Sequence, residues 1–354
     1  MPPNATFREA DLTPHLDGEV STEGLAISAS EDGVWALVSK TLFRIEPDGT
    51  VVPALRAPGT QSFTHLSTSG RSVAVTTYSA GLSVSHHGTP FRRLSCPVRG
   101  KQVERQSLLV RADGGLWLEL GVGQPVQSSW WQCGPTGEWT TEPESLAERY
   151  GLRRSRRRFS SPCLGDDGTL YALVDQTSSA DEDAEAPEGA LYVRRQTLCA
   201  LASAEEGWED HIDLHAAGLP VIRSGVDQDL WLGSAHLASV RDDEGRPAWL
   251  VGRPDGVHRF VNGRASTVTF EGRAQELHSD GERTVVVREL GRDDTDVSSL
   301  WLSRDGGARF EPMRSLAPRE LRSVTVHRGA VFLGLVGRER PGITPTSAWI
   351  VRVA

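Results

Sequence analysis

The stretch Leu25-Ala26-Ile27-Ser28-Ala29-Ser30-Glu31-Asp32-Gly33-Val34-Trp35-Ala36-Leu37-Val38-Ser39 decides how this chain folds. Asp32-Gly33 supplies the positive-φ backbone of a tight hairpin turn. Beyond the turn, Val34, Ala36 and Val38 alternate with Trp35 and Leu37, which is the period of a strand. Apolar residues on both faces mean that both faces are covered.

The same order of apolar strand, Asp/Gly turn and strand opening on a large apolar residue recurs along the chain. It returns as SLLVRADGGLWLEL at 107–120, PCLGDDGTLYALV at 162–174, VIRSGVDQDLWLGS at 221–234, ELHSDGERTVVVREL at 276–290 and SVTVHRGAVFLGLV at 323–336. A degenerate copy is HLSTSGRSVAVTTY at 65–78. Trp35, Trp117, Tyr171, Trp231 and Phe332 fall at the same place in the pattern. Large flat rings there would fill the space between neighbouring sheets. A second hairpin also repeats: TLFRIEPDGTVVPAL at 41–55 aligns with HLASVRDDEGRPAWL at 236–250.

Two hairpins in meander order make a four-stranded propeller blade. Seven turn copies in 354 residues give about 51 residues per unit, a little above common propeller repeats. The expected fold is therefore an all-β, single-domain propeller over 1–354, with seven blades and eight as the alternative. The expected blades are 23–56, 62–98, 104–142, 159–213, 219–271, 272–318 and 320–354. The last unit runs out after three strands, so residues near 5–16 are expected to supply its fourth and close the ring. The segment 252–271 is the weak point, since it could form extra strands. Two β-sandwich domains are the competing architecture, but they give no reason for the turn to recur seven times.

The composition allows this fold. Hydrophobic residues are 38% and charged residues 24%, enough for a core. A net charge of −9 argues against a dedicated nucleic-acid binder. Only Lys40 and Lys101 are lysine, so 38 − 2 = 36 cations are arginine, which reads as a coding bias. The N-terminus MPPNATFREADLTPHLDGEV has no basic start followed by an apolar run, and no apolar stretch reaches the ~18 residues of a membrane span. Cys96, Cys133, Cys163 and Cys199 fit no CxxC pattern and read as reduced, apolar thiols. The expected location is cytoplasmic.

Ser303-Arg304-Asp305-Gly306-Gly307-Ala308-Arg309-Phe310 follows the strand Ser298–Leu302 and fits the pattern S-x-D-x-G-x-x-[WF]. The chain therefore resembles the Asp-box (BNR) repeat propellers, a group that includes sialidases and many non-catalytic repeat proteins. The resemblance implies a hairpin turn between the third and fourth strands of a blade, with Ser and Asp bonding turn amides and the aromatic ring tucked in. It implies a structural role for Ser303, Asp305, Gly307 and Phe310, away from any catalytic centre. Glu46-Pro47-Asp48-Gly49 occupies the corresponding turn in the first unit without the Ser or the aromatic.

A sialidase would need three carboxylate-clamping arginines, a Tyr–Glu nucleophile pair and an acidic Asp. Arg44, in Phe43-Arg44-Ile45-Glu46-Pro47, is similar to the F-R-I-P motif of those enzymes but for an inserted Glu46, and reads as a chance match. The acidic residues at turns (Asp32, Asp113, Asp166, Asp167, Asp227, Asp229 and Asp280) are explained by turn chemistry. His211 and His215 would share a face only on a helix, and the flanks allow one short turn; His86-His87 reads as a polar turn. No nucleophile elbow, P-loop or dinucleotide fingerprint is present. No catalytic residue, metal ligand or cofactor is expected.

Three features point to a partner. Arg153, Arg154, Arg156, Arg157 and Arg158 put five cations in six residues, after a short helix expected over Glu144–Tyr150. Residues 181–188 carry five negative charges. Trp130-Trp131 breaks strand alternation, so one ring is expected to be exposed as a contact point. The expected function is a non-catalytic scaffold that binds a protein partner through face loops and these insertions. The alternative is a carbohydrate-active enzyme or sugar-binding module using the central funnel; a lyase or other hydrolase comes third.

Overall fold

The computed structural model describes residues 7–16, 25–77, 81–98, 103–122, 127–149, 162–179, 192–219, 222–224, 236–253, 255–272, 274–289, 299–313, 319–337 and 345–353. The chain is a seven-bladed all-β propeller built from seven antiparallel sheets. It divides into two compact units, Met1–Glu142 with Ser315–Ala354, and Pro143–Arg314.

The first unit holds four blades. Blade 1 is Leu25–Ser30, Gly33–Val38, Thr41–Ile45 and Val51–Arg56, blade 2 runs from Phe63 to Leu94, and blade 3 from Val103 to Thr141. Blade 7 comprises Glu320–His327, Ala330–Gly337 and Ser347–Arg352. Its fourth strand is Glu9–Asp11, paired antiparallel to Ser347–Arg352 with Ala10 opposite Ile350. The N-terminal segment thus joins the last blade, as the sequence leads one to expect. Phe7, Ala10 and Leu12 are buried in the core between blades 7 and 1, and Arg319 clamps Glu9 with two bonds of 2.9 and 3.0 Å.

The second unit holds blades 4, 5 and 6. Blade 4 is Cys163–Leu164, Leu170–Ser179, Tyr192–Leu201 and Glu209–Asp213, with Ile222–Ser224 pairing its third strand as a fifth. Blade 5 is His236–Arg241, Pro247–Arg253, Gly256–Val261 and Arg264–Phe270, and blade 6 runs from Ala274 to Pro312. This corrects the reading of 219–271. The hairpin at 236–250 is the first hairpin of blade 5, not its second, and 252–271 provides the other two strands. Strand–turn–strand patterns look alike in either slot, and only pairing distinguishes them. Residues 225–235 of the presumed copy, with Trp231, lie outside the described residues. The helix starts two residues later than expected, at Leu146, and is described as far as Arg149; a reciprocal Ser145–Glu148 capping pair starts it.

All seven turns between first and second strands carry a positive-φ glycine: Gly33, Gly70, Gly114, Gly168, Gly245, Gly281 and Gly329. Consecutive turns are tied by ion pairs: Arg328–Glu31 (2.7 Å) and Arg71–Asp32 (2.8 Å) in the first unit, Arg241–Asp166 and Arg283–Asp243 in the second. The arginine bias thus has a repeated structural use, although exposed pairs contribute only about 0–1 kcal/mol each. First strands are stitched to their neighbours by hydroxyls. Ser323 Oγ accepts from Ile27 N (3.1 Å), Thr68 Oγ1 donates to Ala29 O (2.7 Å), Ser67 Oγ accepts from Val110 N (3.0 Å) and Ser279 Oγ donates to Ser239 O (2.8 Å). These bonds satisfy backbone groups on a strand edge that no further strand covers.

The ring wedges are present where described. Trp35 packs with Val73, Val75 and Phe63 between blades 1 and 2, its Nε1 donating to Ser30 Oγ. Phe332 fills the same space between blades 7 and 1, and Tyr171 meets Trp249 at 4.3 Å between blades 4 and 5. Trp117 is fully buried. No helix among the described residues is long and apolar enough to cross a membrane.

Candidate functional site

A group of titratable side chains lies where the first strands of blades 5 and 6 meet. On Ala274–Ser279, Leu277 turns into the core, and its neighbours Glu276 and His278 share the other side. A register shift between Ala274 and Glu276 places Glu276 opposite Arg288 on the second strand. His278 Nε2 lies 3.2 Å from one Glu276 oxygen and Arg288 Nη1 lies 3.2 Å from the other. Glu276 and His278 keep 31% and 29% of their side-chain surface, so a ligand can reach both. His236 opens the first strand of blade 5 and completes the group.

Electrostatics set the protonation states. Burial pushes the Glu276 carboxyl up, but its bond with His278 and the charges of His278, Arg288 and His236 outweigh this and hold it below the ordinary carboxylate range. Burial drives the His236 imidazole below its ordinary pKa; Glu276 opposes this in part and His278 adds to it. The site is therefore an ionised carboxylate beside a neutral imidazole at neutral pH.

A second cluster closes blade 5. Arg253, 1% exposed, donates from Nε and Nη2 to both Asp255 oxygens at 2.9 Å, and His258 Nε2 lies 3.3 Å from the same carboxylate. Burial raises the Asp255 carboxyl, yet the bond with His258 and the nearby Arg253 bring it below the usual value. A buried cation paired this way pins the turn between second and third strands.

The Ser303–Phe310 turn is fixed by its own side chains. It joins Ser299–Ser303 to Glu311–Pro312, the third and fourth strands of blade 6. Ser303 Oγ donates to Asp305 Oδ1 (2.8 Å) and accepts from Gly307 N (2.9 Å), while Asp305 Oδ1 accepts from Ala308 and Arg309 N, both at 3.0 Å. Phe310 packs edge-on against Phe270. Gly306 has φ +68, and a Cβ there would strike the carbonyl oxygen of Arg241.

The other sequence candidates are dispersed. Arg44 pairs with its own neighbour Glu46 at 3.1 Å. His211 lies on a strand against Tyr171, and His215 Nδ1 faces Leu219 O, so the two do not share a helical face. His86 Nδ1 is 3.0 Å from Ser72 Oγ. Trp130 is 7% exposed and receives the Glu142 carboxylate at its backbone amide, while Trp131 packs partly against the core of blades 2 and 3. Of the doublet, Trp130 is covered and Trp131 keeps part of its surface. All four cysteines are free; burial pushes Cys133 to about 11 and Cys163 to about 12. Among the described residues no group of three or more His, Cys, Asp or Glu is placed to hold a metal ion. Arg153, Arg154, Arg156, Arg157, Arg158 and the acidic run 181–188 lie outside the described residues.

Sequence reasoning missed the Glu276 group. The available signal was Glu276-x-His278 flanking a core Leu277, two polar residues on one side of a strand.

No protein-family model matches the chain, and no curated protein matches it significantly. Solved structures match throughout its length. YCF48 from Cyanidioschyzon merolae is 13% identical with a TM-score of 0.54, covering 98% of each chain, and a further structure shows YCF48 bound to D1 peptide. A streptogramin B lyase is 12% identical with a TM-score of 0.56, covering 98% of this chain and 97% of the other. A chain of the mitotic checkpoint complex is 10% identical with a TM-score of 0.55, covering 99% and 96%. At these identities the likeness establishes the propeller fold.

Proposed function

We propose that this chain is a non-catalytic propeller that binds a protein partner through its face loops, with the basic run Arg153–Arg158 and the acidic run 181–188 as docking charges. Against the carbohydrate-active alternative stands one feature of the described residues: each of their carboxylates with a displaced pKa is displaced downward. These are Asp48, Glu138, Glu148, Asp242, Asp255, Glu276 and Asp305, each held ionised by turn amides, hydroxyls or cations. Acid–base hydrolysis of a glycoside needs a carboxyl pushed the other way, kept protonated to serve as the acid. The likeness to a peptide-bound propeller and to a member of a multiprotein complex supports the same reading. The Ser303–Phe310 turn supports a place among divergent Asp-box propellers, and the free thiols support a cytoplasmic location.

The test is affinity capture of the native chain from its own cell extract, against a variant with Arg153, Arg154, Arg156, Arg157 and Arg158 changed to Ala. A specific protein retained by the wild type and lost by the variant is expected. An unchanged set of retained proteins contradicts the assigned docking charges.

The neutral His236 beside ionised Glu276 favours a second reading, proton transfer on a small ligand, as in a lyase or hydrolase. Turnover of a glycoside or ester panel that disappears in Glu276→Gln would select it. Turnover unchanged in that variant, or none, eliminates it.

A further inference from the structure

A cavity of about 330 Å³ opens beside the turn between the second and third strands of blade 1. It lies within the first unit, apart from the Glu276 group. His15, Ser39, Lys40, Phe43, Arg56 and Ser62 are among its lining residues. The volume falls at the small end of the ~300–1,000 Å³ typical of ligand pockets.

Charge selects the occupant. Two cations line the cavity, and none of its lining residues is acidic. Lys40 is one of only two lysines in a chain that otherwise uses arginine, and it makes no ion pair among the described residues. Apolar surface from Leu16, Val38 and Phe43 completes the lining, and the His15 ring lies against Phe43 with centroids 6.1 Å apart.

The turn itself is the two-residue loop of a hairpin, Val38 pairing with Thr41. Ser39 adopts φ +49, a left-handed conformation costly for a residue with a Cβ. Two backbone bonds fix it, Phe63 N to Ser39 O at 3.0 Å and Ala57 N to Lys40 O at 2.8 Å. Yet the Ser39 Oγ is shut off from solvent without a hydrogen-bond partner. Burial keeps this hydroxyl out of reach of a ligand in the cavity, so recognition falls to Lys40 and Arg56.

We propose that this cavity binds a small organic oxyanion, a carboxylate or phosphate monoester carried on a compact apolar body. Lys40 and Arg56 neutralise the oxyanion, and Leu16 with the His15 ring packs against the body. The site is independent of any protein partner and of the Glu276 group.

The test is calorimetric titration of the full chain with benzoate, phenyl phosphate and benzylamine at low salt. At least one anion should bind with a Kd below about 1 mM, and benzylamine should not. Lys40→Gln should weaken anion binding about tenfold, the loss of one charge-assisted contact. Ser39→Gly relieves the backbone without touching either cation, so it should fold and bind the anions as the wild type does. Preference for benzoate assigns a carboxylate, and preference for phenyl phosphate assigns a phosphate ester. Failure of both anions, equal affinity in Lys40→Gln, or benzylamine binding as tightly would overturn the proposal.

Discussion

Replacing Glu276 by Gln removes a charge that His278 and Arg288 both contact, while keeping the side chain's shape. Each contact is 3.2 Å long. Hydrogen bonds to charged groups contribute about 1.5–3 kcal/mol when buried, and exposed pairs about 0–1 kcal/mol. Glu276 is 31% exposed, so screening discounts the sum to about 1–2 kcal/mol. The folded-state carboxyl has a pKa below its unfolded value. Its stabilisation is therefore complete above the unfolded pKa and is lost as pH falls through the folded one. Urea unfolding of wild type and variant should differ by about 1–2 kcal/mol near pH 7, and the gap should close as pH falls through the folded-state pKa of Glu276. In the same variant the His236 pKa, followed by NMR, should fall further, since Glu276 is what holds it up. A gap that persists at low pH, or a His236 pKa that stays put or rises, would refute the reasoning.

Asp305→Ala strips acceptors from the Ala308 and Arg309 amides and should cost about 1–2 kcal/mol in urea unfolding, with the fold unchanged by circular dichroism. Trp35→Ala should cost about 3–5 kcal/mol by opening the space between blades 1 and 2. Trp35→Phe should lose less, mainly the bond to Ser30 Oγ. With thiols pushed to about 11 and 12, Cys133 and Cys163 should resist Ellman's reagent in the native protein at mildly alkaline pH and react on denaturation.

The blade repeat was readable because its determinants are local. An Asp/Gly turn needs positive φ at one residue, and a doubly covered strand shows apolar residues at every step, as in Val34–Val38. The N-terminal strand was readable by subtraction, since the last unit lacked a partner for Ser347–Arg352. Blade 5 was misread because HLASVRDDEGRPAWL and VIRSGVDQDLWLGS present the same pattern, and pairing, not pattern, assigns the slot. The Glu276 group was hidden for a different reason. Its members come from separate strands, and the register shift that sets Glu276 against Arg288 has no one-residue signature. For the Trp130–Trp131 doublet, strand alternation names opposite faces but not what covers each. The arginines that link successive turns were likewise invisible, their acidic partners lying 39 to 297 residues away along the chain.

Closure of the ring depends on the N-terminal segment completing the last blade, and a designed cross-link tests that pairing. Arg352 N bonds Arg8 O and Leu12 N bonds Ala348 O, which makes Glu9 and Val351 a non-hydrogen-bonded pair with Cα atoms about 4.5 Å apart, close enough for a disulfide. In a Cys96→Ser background, Glu9→Cys with Val351→Cys should lose two hydrogens in intact mass on mild oxidation and gain thermal stability. Glu9→Cys with Trp349→Cys should not cross-link. No bond in the first pair, or equal bonding in both, would contradict the closure.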